Sequence, residues 1–303
     1  MAHRLTLLAV HAHPDDETIM TGGVMARYAA EGLRVACITC TGGENGEIAI
    51  PELDTPENRA RLGEIRASEL DRALDHLGLI EHHWLGYRDS GVMGAPENDD
   101  PRCLWQADLG EATERIVRLV RTIEPDVIVS YNDFGGYGHP DHIRAALLAK
   151  AAFERAGDPA AFPDQLSGPA ALRPWTPLKL YELVTVTGHS RGHRVMRLVR
   201  EQGLAALPTL VGVAARWRPR AERARSRVAS AEGRTTTRVD IGPWLELKHR
   251  ALAEHRSQIS PTHPYLALTT RERRAVSPTE DFTVRLSRIA VHPPEDDLFA
   301  GLR

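Results

Sequence analysis

Near its start the chain carries an apolar run, Leu5-Thr6-Leu7-Leu8-Ala9-Val10, which ends abruptly at the polar segment His11 to Glu17. A run this short and aliphatic, followed by a proline-containing turn, predicts a strand buried on both faces, as parallel sheets require. A helix through about Tyr28 to Glu31 is expected after the Gly22-Gly23 pair, then a strand from Arg34 to Cys40 and a glycine-rich loop from Thr41 to Glu47. Ile65, Leu70, Ala73 and Leu77 recur at roughly helical spacing and predict a long helix from about Pro56 to Leu77. Further on come a short strand near His83 to Gly86, a helix from about Gly110 to Ile123, a strand from Asp126 to Tyr131 and a helix that starts at Pro140 and continues to Arg155. Strands alternating with helices in this way predict an α/β fold: a Rossmann-like, doubly wound, mostly parallel sheet.

The regularity stops at Gly157 to Pro177, a stretch rich in Pro, Gly and Ala. That places a boundary near residue 170, with a sheet domain over 1–170 and a smaller α+β part over 171–303 that packs on it and helps complete a substrate pocket. In the second part, strands are expected near Leu178 to Val186, Thr235 to Val239 and Asp281 to Leu286, and helices near Arg194 to Gln202 and Pro243 to Gln258. The Arg-rich stretch Arg216 to Arg227 reads as a solvated helix face or loop, since blocks of like charge are more often surface than site.

Composition narrows the partners. With 303 residues, 42% hydrophobic and 26% charged, the chain is an ordinary globular one, and a net charge of −3 argues against nucleic acid. No apolar stretch approaches bilayer length and no signal-peptide pattern precedes the first strand, so no membrane partner and a cytoplasmic location are expected. Three cysteines are too few for a disulfide framework. Cys37 and Cys40 project from opposite faces of their strand and read as buried hydrophobes. The sequence is compatible with a homo-oligomer.

The candidate chemistry lies where strands end. His13, Asp15 and Asp16 follow the first strand, and His139 and His142 follow the strand ending at Tyr131, so two distant clusters arrive at one sheet edge, where open α/β sheets bind ligands. The glycine fingerprint of dinucleotide folds is missing after the first strand. Imidazole with carboxylate suits Zn²⁺, or Fe²⁺ or another first-row ion in its place. Asp15 and Asp16 must project in different directions, which lets one bind a metal while the other serves as a base. Either carboxylate could instead cap the following helix, and a histidine near a helix start is often a cap. His11 alternates with His13 and is expected to face away.

The pairing of Ala12-His13-Pro14-Asp15-Asp16-Glu17 with Gly138-His139-Pro140-Asp141-His142 resembles the PIG-L or LmbE-like family of zinc-dependent de-N-acetylases, and its mycothiol branch in particular. The likeness extends through Cys40 to Glu44, Arg66 to Glu69, Arg88 to Gly91, Gly135 to Tyr137 and His255 to Gln258. It implies one zinc per chain held by His13, Asp16 and His142, with Asp15 as general base. It also implies that His139 stabilises the oxyanion and protonates the leaving amine, with Asp141 orienting it, and that Tyr137 is a second oxyanion donor. Arg66, Asp89 and Glu47 match positions that hold the sugar. The implied reaction is N-deacetylation of a small-molecule amino-sugar conjugate of N-acetylglucosamine type. Cleavage of a mycothiol S-conjugate amide is the alternative, and a non-catalytic glycoconjugate-binding protein a more distant one. The chain lacks the lysine that the conjugate amidase carries just after Glu17, while His255 to Gln258 leans toward the amidase.

Overall fold

The computed structural model describes residues 3–78, 80–184 and 235–303. The expected helix near Arg194 to Gln202 and the Arg-rich stretch lie outside the described residues. Among those described, seven strands form one sheet: β1 (Thr6–His11), β2 (Arg34–Thr41), β3 (Glu81–Tyr87), β4 (Val127–Ser130), β5 (Lys179–Leu183), β6 (Thr237–Asp240) and β7 (Thr279–Ser287), in the order β3-β2-β1-β4-β5-β7-β6. The first five are parallel, with Leu8 opposite Ala36 of β2 and Ile128 of β4, and β7 runs antiparallel to both β5 and β6. The strands after residue 170 thus extend the sheet of the first half.

Every residue of β1 and β4 is buried, as the unbroken apolar runs predicted. Burial on both faces follows from the helices. On one side pack α1 (Asp16–Ala30), α2 (Leu62–Leu77) and, from the second half, α5 (Leu245–Glu254). On the other lie α3 (Leu109–Ile123) and α4 (Pro140–Arg155). In α3 the buried Ala112, Ile116, Val117, Val120 and Ile123 form one apolar stripe, and Asp108 caps the helix by accepting the Glu111 N–H at 2.9 Å.

Two expected helices differ in detail. The long one is two, Pro56–Ala60 and α2, broken at Arg61, whose φ of −117° leaves the helical region. Conversely α1 starts at Asp16 and runs straight through Gly22 and Gly23. These glycines serve close packing: a Cβ on Gly23 would lie 2.5 Å from Ile241 Cδ1. The buried ion pair Lys248–Glu280, 2.7 Å apart, also inserts here, with Glu280 accepting the Gly23 and Val24 N–H groups at 2.8 Å and Lys248 donating to Ile19 O at 2.9 Å.

Chain order reverses across the β1/β4 pair, since β2 and β3 add on one side and β5 on the other. The carboxyl ends of β1 and β4 therefore flank the crevice at the topological switch point.

Candidate metal centre

His13 leaves the end of β1 and His142 sits in the first turn of α4. The two strand ends are tied by a hydrogen bond from the Ala12 N–H to the Tyr131 hydroxyl, 2.9 Å. The loop after β4 is folded by Asn132, whose Oδ1 accepts the Phe134 and Gly136 N–H groups. It returns so closely on α4 that a Cβ on Gly135, where φ is +65°, would meet His142 Cβ at 2.7 Å. Only glycine allows that approach.

Three ligand-capable atoms converge. His13 Nδ1 and His142 Nε2 are 3.3 Å apart, and Asp16 Oδ2 lies 3.4 Å from each. Tetrahedral ligands standing ~2.0–2.1 Å from one ion have edges of roughly this length. His139 joins the cluster, as do Asp89 and Asp141 on the far side of His13: the ligand-capable atoms of His13, His139 and His142, and those of His13, Asp89, His139 and Asp141, fall within 4.8 Å of one another. These residues are all buried.

Hydrogen bonding assigns the tautomers. His13 Nε2 donates to Asp141 Oδ2 at 3.2 Å, with Asp89 Oδ1 3.7 Å away, which leaves the lone pair of Nδ1 facing Asp16 and His142. Burial works against charging His13, but the hydrogen bonds to Asp141, Asp16 and Asp89 outweigh it and raise its pKa well above the usual value. Burial also opposes ionisation of Asp16, yet His142 and His13 hold that carboxyl well below its usual range. Burial, assisted by His13, pushes His142 down to about 4. The ionised Asp16 favours positive charge among these atoms, and a proton held on His13 Nδ1 would have to leave before that nitrogen could ligate a metal.

Asp141 therefore differs from expectation. Its carboxylate is directed to His13, and also accepts the Ser90 N–H at 2.9 Å and a very short bond from the Ser90 hydroxyl. Its hydrogen bond to His139 comes from the backbone: the Asp141 N–H donates to His139 Nδ1 at 3.2 Å, so His139 is the N-cap of α4. Capping occupies Nδ1 as an acceptor and leaves the proton on Nε2. Burial, with His13 and His142 nearby, lowers His139 to about 4 and keeps it neutral.

Asp15 does not cap α1 with its side chain, although it occupies the N-cap position. It is held at φ 114°, a conformation rare outside glycine, and its half-buried carboxylate lies 3.4 Å from Arg66 Nη2. Burial, reinforced by Asp16 and Glu17 and opposed by Arg66, pushes it up to about 7. A cation beside Asp16 would lower it again.

The supporting residues are placed unequally. Tyr137 stands exposed at the rim, its ring edge-on to His142 with centroids 4.9 Å apart. Arg66 is buried and donates to Pro14 O at 2.6 Å and Gly43 O at 2.8 Å, so its guanidinium braces the loops after β1 and β2. Asp89, also buried, accepts from the Asn45 and Gly91 N–H groups at 3.1 and 2.8 Å. Both were expected to hold a sugar; Arg66 Nη1 and Nη2 and both Asp89 oxygens have partners inside the protein, while Arg66 Nε is buried without one. Glu47 lies exposed on the loop after β2. His11 engages Thr21 Oγ1 at 2.9 Å.

Sequence reading assigned nothing to Ser90, Glu17 or the individual residues of His255 to Gln258. Ser90 also accepts the Trp105 N–H at 2.9 Å. Glu17 and His255 are fully buried and paired at 3.0 Å, and Ser257 donates its N–H and hydroxyl to Glu69 at 2.8 and 2.6 Å. Only the presence of Glu17 and His255 within quoted motifs signalled them beforehand.

The switch-point crevice, its His and Asp cluster and the two motifs that build it define a de-N-acetylase type of protein: residues 8–153 match the PIG-L family, described as GlcNAc-PI de-N-acetylase, and the chain belongs to that family. A protein of Thermobifida fusca is 39% identical over 95% of this chain and 93% of its own length, and one of Geodermatophilus obscurus is 41% identical over 98% and 97%. Both carry the name 1D-myo-inositol 2-acetamido-2-deoxy-alpha-D-glucopyranoside deacetylase. Among solved structures, N,N'-diacetylchitobiose deacetylase of Pyrococcus horikoshii superposes with a TM-score of 0.60 at 21% identity, covering 92% of this chain and 83% of that one. GalB, a 4-carboxy-2-hydroxymuconate hydratase of Pseudomonas putida, reaches 0.60 at 18% identity, covering 95% and 99%. Likeness at that level establishes the fold alone, and the same fold hosts a hydratase.

Proposed function

We propose that this chain is a zinc-dependent deacetylase of an N-acetylglucosaminyl-inositol conjugate. The observation that carries the reading is the triangle of His13 Nδ1, Asp16 Oδ2 and His142 Nε2 beside a carboxylate, Asp15, spent neither on that triangle nor on a helix cap. The names of the full-length relatives supply the substrate class.

His13, Asp16 and His142 would hold the ion, and two imidazoles with one carboxylate suit zinc, with Fe²⁺ a fitting substitute. Bound there, it would act as a Lewis acid on the amide carbonyl and ease deprotonation of water at neutral pH. Asp15 takes the proton from the attacking water. Neutral His139 and Tyr137 offer N–H and O–H donors to the oxygen on which charge develops. Amine departure needs a proton, and Asp15 and His139 border the same space, so the proton taken at the start is available for delivery at the end. Asp141, bonded to His13 and anchored by Ser90, fixes the His13 ring.

The test is acetate release from N-acetylglucosaminyl-inositol, with metal content measured on the same sample. About one zinc per chain and chelator-sensitive release are expected. Bound zinc without release, but with cleavage of a thiol-sugar conjugate, would move the substrate to the mycothiol S-conjugate class. Chelator-insensitive release would overturn the metal role.

A further inference from the structure

The Glu17–His255 pair supplies no atom to the triangle of His13, Asp16 and His142, yet it touches the backbone of the proposed base. The Asp15 N–H donates to Glu17 Oε2 at 2.9 Å. The other oxygen, Oε1, receives the Thr18 hydroxyl at 2.6 Å and His255 Nε2 at 3.0 Å. Glu17 and His255 are both fully buried, and His255 arrives from the residue directly after α5, on the far side of the sequence. A buried carboxylate without a cation would be costly, so His255 is what allows Glu17 to sit under Asp15 as an ionised acceptor.

The backbone it grips is the unusual one. Asp15 holds φ at 114°, and a conformation of that kind persists only where its surroundings over-determine it. Two bonds to the Asp15 peptide do so: Glu17 accepts its N–H, and its carbonyl accepts the Ile19 N–H at 2.9 Å. The bond to Ile19 is an ordinary helical one, whereas the bond from Glu17 depends on a side chain and on a histidine from the second half of the chain.

Resting on the deacetylase reading above, we propose that Glu17 and His255 are positioning residues that fix the strained Asp15 backbone and so aim its carboxylate at the attacking water. They touch neither substrate nor metal ligand atoms, so their effect passes through Asp15. A shift of about 1 Å in a reacting group is enough to cost on the order of 100-fold in rate.

The test is a double-mutant cycle on the zinc-loaded enzyme with N-acetylglucosaminyl-inositol, following acetate release. Glu17→Leu removes both acceptor oxygens, and kcat is expected to fall about 10-fold or more with KM nearly unchanged and about one zinc per chain retained. Glu17→Gln keeps one acceptor oxygen for the Asp15 N–H and should restore much of the loss. Placed on Asp15→Asn, which has no base left to aim, Glu17→Leu should change the residual rate by less than about 2-fold. The same factor in both backgrounds, or no fall in kcat, overturns the proposal, because a merely structural defect would multiply through. If Glu17→Leu does not fold, His255→Gln enters the same cycle: a loss that vanishes on Asp15→Asn supports the proposal, and one that persists, or no loss, overturns it. Failure of the wild-type enzyme to release acetate would instead defeat the deacetylase reading, and this inference with it.

Discussion

At residue scale the arrangement turns on which atoms of the cluster are already spent. Asp15 faces Arg66 but lies outside the triangle of converging ligand atoms, so Asp15→Asn is expected to keep its zinc while turnover drops on the order of 100- to 10,000-fold, checked by metal analysis beside initial rates. Ser90 acts at one remove, because its N–H and hydroxyl hold the Asp141 carboxylate that holds His13. Ser90→Ala should weaken zinc binding roughly 10- to 100-fold, read by competition with a chelator, and unchanged affinity would show that Asp141 needs no anchor. The convergence of His13, Asp16 and His142 was legible in the sequence because the motifs stand directly after strands, where topology leaves little freedom. The direction of the Asp141 side chain was not. Its neighbour in sequence is His139 and its partners are His13 and Ser90, and no local spacing reports a contact across 51 or 128 residues.

At the scale of elements, α1 is the piece on which the chain converges. Its first turn carries Asp16 and Glu17, its middle admits the Lys248–Glu280 pair, and its end packs Tyr28 against the last residues of the chain. The sequence suggested a helix only after the two glycines, because paired glycines usually interrupt one; here the chain needs them for the Ile241 contact. Glu280→Leu alone removes the buried carboxylate that balances the Lys248 charge, and a loss of about 3–5 kcal/mol in chemical denaturation is expected, while pairing it with Lys248→Met should recover much of it. At the end of α1, Asp297 accepts the Tyr28 hydroxyl at 2.8 Å and the Arg303 guanidinium at 2.7 Å. Burial alone would raise its pKa, but the Phe299 N–H, Tyr28 and Arg303 outweigh it and lower it. A depressed carboxyl pKa contributes stability above the unfolded value of ~3.9 and loses it as pH falls through the folded one. Melting curves of wild type and Asp297→Asn should therefore differ at neutral pH and draw together in acid.

At the scale of the whole molecule, the alternation of strands and helices was enough to foresee the doubly wound sheet, since right-handed crossovers leave few other ways to bury apolar runs on both sides. How strands β5, β6 and β7 join it was less legible. Their antiparallel pairing joins residues far apart in the chain, such as Thr237 with Phe282 and Lys179 with Ser287, and no local pattern reports a partner at that distance. A metal that binds only the folded chain stabilises all of it at once. At a free zinc concentration 100-fold above Kd, about 2.7 kcal/mol should be added, a rise on the order of 5 °C in melting temperature that a chelator abolishes and that Asp16→Asn does not show.

The reach of His255 across the molecule also bears on the order in which the enzyme matures. A ribosome delivers the chain from one end, and both metal-holding motifs, with the strands that carry them, have emerged once α4 is made. The clamp beneath Asp15 arrives about a hundred residues later. A nascent chain halted between those points would own a complete ligand set and lack the brace that aims its base, so competence for chemistry is withheld until the second half has docked.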